Sequence, residues 1–271
     1  MKRYNSDDIL RSLKKVGIKK GDLIHINPEI FKLGEYENYT NKNIYDEIYN
    51  TIRKVIGISG TICFNTFTFN TLRKGENFVY ENTSSTSGGF SKYILNKKKI
   101  VRSKHPVYSI TAIGPKAKKI CDKNSFHNFG YNSPYEKFVR YNGKVLNLGM
   151  LPWNNQYNEV AQYMIGVPYC YNKLTRVNYF KNRKKKNYNF STFVRYLDFK
   201  LDWNFTYLKK ELSKKKIVKK SKLGDGYIYA VSAREYLDLC LNLLTKNQFA
   251  LMKKNYFLNK KKNITKNNIF N

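Results

Sequence analysis

Two stretches of the chain decide the fold: GDLIHI (residues 21–26) and IYDEIYNTIRKVIGISGTICFNTFTF (residues 44–69). The apolar run Leu23–Ile26 predicts a short strand. In residues 44–56 isoleucine recurs at every fourth position, which predicts a helix with one apolar face. Gly57 ends this helix, and an apolar strand is predicted over Thr61–Phe69. A strand, a helix and a second strand in this order predict a layered α/β domain.

The same alternation continues on both sides of these stretches. Upstream, Ser6 followed by two aspartates predicts the start of a helix that ends at Gly17. Residues 70–100 predict a long loop with a short helix after Gly88-Gly89. The elements predicted downstream are strands at 107–113, 144–148 and 224–231, helices at 115–121, 159–165 and 233–244, a basic loop at 182–189 and a largely helical segment at 190–216.

The composition excludes several classes of protein. Of the 271 residues, 41% are hydrophobic and 15% aromatic, which is too many for a disordered chain. No apolar run approaches the ~18 residues that a membrane-spanning helix needs. Asp7 and Asp8 interrupt the stretch where a secretory signal would be apolar. The four cysteines form no CxxC pair, so neither a disulfide framework nor a metal site is predicted. We therefore expect a cytoplasmic protein without a membrane partner.

The chain is strongly basic, with 51 Lys+Arg against 19 Asp+Glu and a formal net charge of +32. Such a surface suits a polyanionic partner. It also suits a genome rich in A/T codons, because Lys, Asn, Tyr, Ile and Phe are all over-used here. The lysine runs are short and scattered, so charge alone does not define a nucleic-acid interface.

Seven local motifs follow one another in an order that carries a resemblance. They are GDLIH (21–25), GTICFNTFT (60–68), TSSTSG (83–88), RSKHP (102–106) with Ser109, SP (133–134), GKVLNLG (143–149) and AQYMIGVPY (161–169). This series resembles the antibiotic N-acetyltransferase family, whose named members are aminoglycoside 3-N-acetyltransferases. The resemblance covers residues 6–170 well, 220–245 loosely and 171–219 hardly at all. Two family prolines are absent, at Asn65 and Ser84.

The resemblance implies a fold and an activity. The fold would be a three-layer α/β/α arrangement around a mixed sheet, unrelated to the GNAT acetyltransferases. The activity would be acetyl-CoA-dependent transfer of an acyl group to an amine. One acetyltransferase-like domain would cover residues 1–251, with a variable basic insert at 176–222, and a Lys/Asn-rich tail would follow at 252–271.

The main departure from the family lies at its catalytic pair. The family's histidine and the glutamate that orients it correspond to Glu159 and Gln162, one helical turn apart and therefore on one face. A carboxylate can act as the base if burial raises its pKa toward neutrality, and a neutral neighbour avoids a second charge. The same replacement could be the trace of a lost activity, and Glu159 could also be a solvated glutamate at a helix start.

Five further residues complete the predicted site. His105 is expected to polarise the thioester carbonyl, with a hydrogen bond that pins a tight turn as the alternative. Arg102 is expected to bind a cofactor phosphate or a substrate carboxylate, with a salt bridge to a nearby acid as the alternative. The remaining cofactor-binding candidates are Asn27, Thr68 and Ser103.

These observations favour an N-acetyltransferase that acts on an amino group of a small molecule, an amino sugar above all. In it Glu159 would deprotonate the amine and Gln162 would orient Glu159. A polycationic aminoglycoside is less expected, because such a substrate requires carboxylates and this chain is poor in acids. Two alternatives stay open: a catalytically silent relative that binds CoA or an amine, and a nucleic-acid-binding module built on residues 182–222.

Overall fold

The computed structural model describes residues 3–37, 43–196 and 202–253. Its helices are α1 (Ser6–Lys15), α2 (Ile44–Ile56), α3 (Phe69–Arg73), α4 (Gly89–Leu95), α5 (Ala117–Cys121), α6 (Pro134–Arg140), α7 (Tyr157–Ile165), α8 (Thr206–Lys215) and α9 (Ala233–Lys246), with a 3-10 turn at Ile30–Leu33. Its strands are β1 (Arg3–Tyr4), β2 (Leu23–Pro28), β3 (Glu35–Tyr36), β4 (Thr61–Asn65), β5 (Phe78–Val79), β6 (Val101–Arg102), β7 (Ile110–Ile113), β8 (Lys144–Leu148), β9 (Cys170–Lys181), β10 (Lys184–Arg195), β11 (Lys219–Leu223) and β12 (Gly226–Ser232).

The central sheet has seven strands in the order β11-β12-β8-β2-β4-β7-β6. Strand β2 lies in the middle and pairs in parallel with both β8 and β4. The outer strands β12 and β7 run antiparallel to their inner neighbours. The predicted mixed sheet is therefore confirmed, and its three parallel strands end at the same edge.

Side chains that alternate along the central strands define the two faces of this sheet. On one face Ile24 and Ile26 join a core formed with α1, α2 and α4. On the other face Leu23, Cys63 and Val145 join a core formed with α5, α6, α7 and α9. Apolar residues on both faces require a helical layer on each side. The predicted three-layer arrangement is confirmed.

Residues 170–195 differ from the prediction. Strands β9 and β10 form a long hairpin, and β5 extends it to a three-stranded sheet. The predicted basic loop at 182–189 reduces to the two-residue turn Asn182-Arg183, in which both residues have positive φ. The predicted helix at 190–216 is wrong over its first part, where β10 continues to Arg195, and a helix appears only at Thr206–Lys215. Aromatic and β-branched residues after position 187 favour the strand.

Several local expectations also change. Helix α1 is capped by Asn5, not Ser6, because the Asn5 side chain accepts from two amides and Asp8 returns the bond. The predicted strand at 61–69 ends at Asn65, since α3 begins at Phe69. Helix α6 was not predicted, although Ser133 before a proline is a helix-start signal.

The described residues bear on two further expectations. Among them no helix has the length and the apolar character needed to cross a bilayer. Met252, where the predicted tail begins, is buried and pairs with Trp203. The tail from residue 254 onward lies outside the described residues.

Candidate active site

Three asparagines lie where the parallel strands end. Asn65 is the last residue of β4, Asn27 and Asn147 are the last but one of β2 and β8, and all three are buried. Asn27 and Asn147 are register partners, and the Asn27 amide nitrogen donates to the Asn147 oxygen at 3.1 Å. The carboxyl edge of parallel strands is where open α/β sheets bind ligands.

A hydrogen-bond network spreads from Asn65. Its Oδ1 accepts from the Nε2 of His25 and from the hydroxyl of Tyr135, each at 2.9 Å. Its Nδ2 donates to the Oδ1 of Asn27 at 3.1 Å and to the Oε1 of Gln156 at 2.9 Å. Since Gln156 is the residue from which α7 begins, the network fixes the start of this helix against the strand ends. Asn27, predicted to bind cofactor, uses its amide within the network.

His25 is held neutral inside this network. Burial lowers its pKa to about 4, although its hydrogen bond to Asn65 opposes the shift. Because Nε2 donates to Asn65, Nδ1 carries the lone pair, and this atom has no hydrogen-bond partner among the described residues. His25 is thus a fixed donor and not a proton carrier near neutral pH.

Glu159 lies in the first turn of α7, next to the strand ends. Its side chain is only partly accessible, and burial raises its pKa to about 7, while Arg195 lowers it somewhat. The carboxylate also contributes, after burial, to the raised pKa values of Tyr108 and Tyr135 and to that of Cys170, which reaches about 12. Glu159 therefore faces a half-enclosed group of polar side chains, which is not the environment of a solvated glutamate.

Gln162 lies one turn further along α7 and is fully buried. Its Nε2 donates to the hydroxyl of Tyr169 at 3.0 Å, and its Oε1 has no hydrogen-bond partner among the described residues. The amide is thus held by Tyr169 and not by Glu159. Gln162 supplies a neutral neighbour to the carboxylate without a direct hydrogen bond to it.

His105 is fully buried in a turn before β7. Its Nδ1 accepts from the backbone amides of Val107 and Tyr108 at 3.3 and 3.1 Å, and its Nε2 donates to the carbonyl of Ser191 at 3.2 Å. Burial lowers its pKa to about 4. Both ring nitrogens therefore have protein partners in this geometry, which favours the turn-pinning alternative, and the turn sets the position of Tyr108 beside Glu159.

The other predicted cofactor residues also bind protein groups. Arg102 is buried, and its guanidinium donates to the carbonyls of Thr83 at 2.7 Å and Thr66 at 3.1 Å. Burial lowers the pKa of Arg102 to about 10. The hydrogen-bond partners of its guanidinium are a serine hydroxyl and backbone carbonyls and include no carboxylate, so these contacts correspond to none of the roles predicted for Arg102. Thr68 donates to the carbonyl of Pro106, and the Ser103 hydroxyl accepts from the amide of Ile110 at 2.9 Å. These side chains shape the loops around the site.

A cavity of about 600 Å³ opens beside the end of β2. Its walls include Pro28–Ile30 after β2, Tyr45 in the first turn of α2 and Ser87–Gly89 before α4. A Cβ atom at Gly89 would lie 2.3 Å from the Tyr45 hydroxyl oxygen, so this approach requires glycine. The residues after GDLIH and those of TSSTSG, which are far apart in the sequence, thus line one cavity.

Reasoning from the sequence missed several residues of this region. Asn65 is the centre of the network, and the signal was present, because it stands at a position where the family has proline. Tyr135 directly follows the motif SP (133–134), and Tyr108 lies between the motif RSKHP (102–106) and Ser109. Arg195 carried no signal, since it lies on a strand in a segment that was predicted to be helical.

The fold and the site together define an α/β protein with a candidate acid–base site at the carboxyl ends of its parallel strands. Comparison with known proteins gives the family. Residues 32–245 match the family model described as aminoglycoside 3-N-acetyltransferase. Because this match covers most of the chain, the chain belongs to that family.

Individual relatives agree with this assignment. An aminoglycoside N(3)-acetyltransferase III of Salmonella sp is 27% identical over 159 residues, which are 52% of this chain and 54% of the relative. One of the same description from Serratia marcescens is 27% identical over 161 residues, 53% of this chain and 58% of the relative. The chain thus spans about half the length of the curated relatives it matches.

Solved structures show the same fold. The structure described as AAC-IIIb binary with CoASH aligns with a TM-score of 0.75 at 18% identity, covering 90% of this chain and 97% of the other. YokD protein from Bacillus subtilis aligns with a TM-score of 0.72 at 18% identity, covering 89% and 99%. The family-model match at residues 32–245 includes the hairpin segment that the sequence motifs did not cover.

Proposed function

We propose that this chain is an acetyl-CoA-dependent N-acetyltransferase that acts on an amino group of an amino sugar, and that Glu159 is its base. The observation that carries this proposal is the position of Glu159. It is a half-buried carboxylate with a pKa of about 7, on the helix and at the residue where the family has its histidine. A base with a pKa near the working pH is the most effective.

The chemistry assigned to the chain is proton removal. Acetyl-CoA supplies the acetyl group as an activated thioester. An amine is mostly protonated at neutral pH, so a base must hold the proton that nitrogen loses as the N–C bond forms. As the N–C bond forms, the thioester C–S bond breaks and CoA leaves as a thiolate. The Glu159 carboxylate takes the amine proton, which returns to that thiolate, so that free thiol is released. Gln162 does not orient Glu159, because Tyr169 holds its amide, but it adds no second charge that would raise the carboxyl pKa further.

The cavity beside β2 is the site that we propose for the acyl carrier. Its volume lies within the range of ~300–1,000 Å³ that is usual for small-molecule sites. Ser87, Gly88 and Tyr45 would hold the carrier there, and the glycines at 88 and 89 allow close approach of a ligand to the backbone. His105, Arg102, Thr68, Ser103 and Asn27 enter this proposal as the residues that fix the surrounding loops and strand ends.

The substrate class changes from the expectation stated above. An aminoglycoside was less expected on grounds of charge, and the comparisons do not bear this out, because the curated relatives are named for that substrate. The physical reason is that net charge describes the whole surface, whereas an amine is bound by the groups of the site. The wall of the cavity beside β2 holds the carboxylates Glu29 and Glu35, so an aminoglycoside is a fitting amino sugar substrate.

The test is acetyl transfer from acetyl-CoA to a panel of aminoglycosides and simpler amino sugars, followed as release of free thiol. Glu159→Gln is expected to lower kcat at least about a hundredfold. Glu235→Gln is the matched control, because Glu235 also lies in the first turn of a helix but is exposed. An unchanged rate in Glu159→Gln would remove this residue from the mechanism.

A catalytically silent relative is the second candidate, and the contact between Gln162 and Tyr169 favours it, because the family's orienting interaction is lost. In that case the wild-type chain binds CoA in calorimetry and acetylates no amine of the panel. The double variant Glu159→His/Gln162→Glu, which restores the family pair, would then gain activity. A wild-type rate above that of the double variant would exclude this candidate.

A further inference from the structure

A second cavity, of about 560 Å³, lies between the β9–β10 hairpin and the body of the protein. Its wall holds one carboxylate, Asp122, and three tyrosines at positions 80, 179 and 188. The cationic residues of the wall are Arg102, Lys104, Lys123, Lys181, Lys184 and Lys186. Six cations against one acid make this the opposite of the cavity beside β2, whose described lining residues include Glu29 and Glu35 and no cation.

Three of these lysines lie on the inner face of the hairpin. In the β9–β10 register Lys186 pairs with Tyr179, and Lys184 pairs with Lys181. Tyr179 is buried and joins a small core with Phe78 and Phe190, so its face of the hairpin is the inner one. Residues that pair across strands share a face, which places the three lysines on the inner face as well. The three lysines are themselves exposed, so they line the open side of the cavity.

The lysines converge without carboxylate partners. Lys104 Nζ lies 3.9 Å from the centre of the Tyr188 ring and 4.0 Å from that of Phe126. Lys181 Nζ lies 4.2 Å from the centre of the Tyr80 ring. Among the described residues, no carboxylate forms a salt bridge with any lysine of this wall.

The electrostatics of Lys104 agree with this arrangement. Burial lowers its pKa, and the charges of Lys186 and Lys181 lower it further. The rings accept the lysines by cation–π contact but carry no negative charge, so the repulsion between the ammonium groups is not neutralised. An anion in the cavity would neutralise it.

We propose that this cavity binds a small, multiply charged phosphate ligand of the size of a nucleotide. Six cations around one cavity suit an anion of several charges, and ammonium and guanidinium groups bind phosphate through strong charge-assisted hydrogen bonds. Arg102, held in place by loop carbonyls, offers a fixed charge at the base of the cavity, and the lysines of the hairpin close around it. The site does not depend on the acetyl transfer proposed above.

Calorimetry with inorganic tripolyphosphate and with ADP at low ionic strength tests this proposal. Lys184→Gln/Lys186→Gln removes two charges from the inner face and is expected to weaken both ligands about tenfold or more. The control Lys185→Gln/Lys246→Gln removes two charges from the outer face of β10 and from α9, and is expected to change either affinity by less than about twofold. Circular dichroism checks that both double variants fold.

A second arm distinguishes the sources of the phosphate. ADP is titrated again in the presence of saturating CoA. Unchanged affinity means that the cavity serves a free phosphorylated ligand, whereas competition means that it receives the nucleotide part of CoA. Both results support the phosphate site, and neither requires turnover, so a failure of the acetyltransferase proposal would not affect them.

Three results would overturn the proposal. The first is no measurable binding of either probe by the wild-type chain. The second is an equal loss of affinity in both double variants, which would assign binding to the charge of the whole surface. The third is tighter binding of a single-stranded oligonucleotide than of ADP with equal losses in both variants, which would assign that surface to a nucleic acid.

Discussion

At the scale of single residues, the proposal that Glu159 is the base requires a different physical route from that of the histidine the family has there. An imidazole titrates near neutrality without help, whereas a carboxyl group needs an environment that disfavours its charge. Burial at the start of α7 supplies that environment, and Arg195 limits the shift, so the carboxyl pKa reaches about 7 and not higher. The sequence predicted Glu159 as the base, but only the structure shows what would tune it.

The pH dependence of the rate follows from this pKa. The carboxylate form is the active one, so kcat/KM is expected to rise with pH and to level off above about 7, the pKa of Glu159. Rates measured between pH 5 and 9 show whether kcat/KM rises in this way. The residual rate of Glu159→Gln should depend on pH only through the titration of the amine substrate. A wild-type profile with the same shape as that of the variant would contradict the assignment.

Four of the residues predicted to contact cofactor or substrate share one property. His105, Arg102, Thr68 and Ser103 lie in matched motifs, and the structure gives their polar groups to backbone carbonyls and amides. A motif shows which residues occur in a set order. It does not show whether a polar side chain binds a ligand or a loop, because both uses require the same residue type at the same position.

At the scale of elements, the asparagine network joins three strands to a helix. Asn65 alone holds His25, Tyr135, Asn27 and Gln156. Each of these groups is buried or half-buried, so a group that loses its hydrogen bond to Asn65 is not compensated by water and stays unsatisfied. The network therefore fixes α7, and with it Glu159, relative to the sheet.

Asn65→Ala tests this role. It leaves several buried polar groups without their partner and is expected to lower the free energy of unfolding by about 3 kcal/mol, whereas Asn187→Ala, on an exposed position of β10, should cost less than about 0.5 kcal/mol. Denaturant unfolding measures both. A loss in Asn65→Ala no greater than that of the control would show that the network adds nothing to stability.

The β9–β10 hairpin shows why one element escaped prediction. Its signal is the pair Asn182-Arg183, which adopts positive φ angles of 50 and 60° and so forms a turn of the kind that joins two strands directly. Asn-Arg is a weak signal for such a turn, because asparagine tolerates this backbone region and arginine does not favour it. Because the turn signal is weak, the lysines around it give this part of the sequence the pattern of a solvated loop.

The same turn geometry predicts the effect of Arg183→Gly on stability. Glycine adopts positive φ without steric cost, and Asn-Gly is the preferred pair for this turn, so the variant is expected to be more stable by about 0.5–1 kcal/mol. Lys185→Gly, at an extended position of β10, should be less stable by a similar amount. Thermal unfolding of the two variants, compared with the wild type, measures both signs. A loss of stability in Arg183→Gly would show that the Arg183 side chain has a role that this geometry does not reveal.

At the scale of the whole molecule, the order of strands and helices in residues 21–170 was sufficient to predict a layered α/β domain, and the family resemblance implied the mixed sheet with a helical layer on each side. Periodicity and glycine positions carry that information, because they report which faces are buried. The distribution of charge was not predictable in the same way. Lysines that are scattered in the sequence gather in the cavity beside the hairpin, and this follows from strand register across the hairpin, which no local pattern specifies.

Glu159 should also affect the stability of the whole protein in a pH-dependent way. A carboxyl group whose pKa is higher in the folded than in the unfolded state favours folding in its neutral form. Its contribution is therefore fully present below about 4.5 and is lost as the pH rises through about 7. We therefore expect the free energy of unfolding of Glu159→Gln, relative to that of the wild type, to rise by about 2 kcal/mol from pH 5 to pH 8. This value allows for the partial exposure of the Glu159 side chain.

Denaturant unfolding at these two pH values measures the change, with Glu235→Gln as the exposed control that should show none. A variant that is more stable and less active at pH 8 would indicate that the fold tolerates an unfavourable charge at this position because the reaction uses it. If the stability difference between Glu159→Gln and the wild type is the same at pH 5 and pH 8, the Glu159 carboxyl titrates alike in both states, and it cannot be the tuned base.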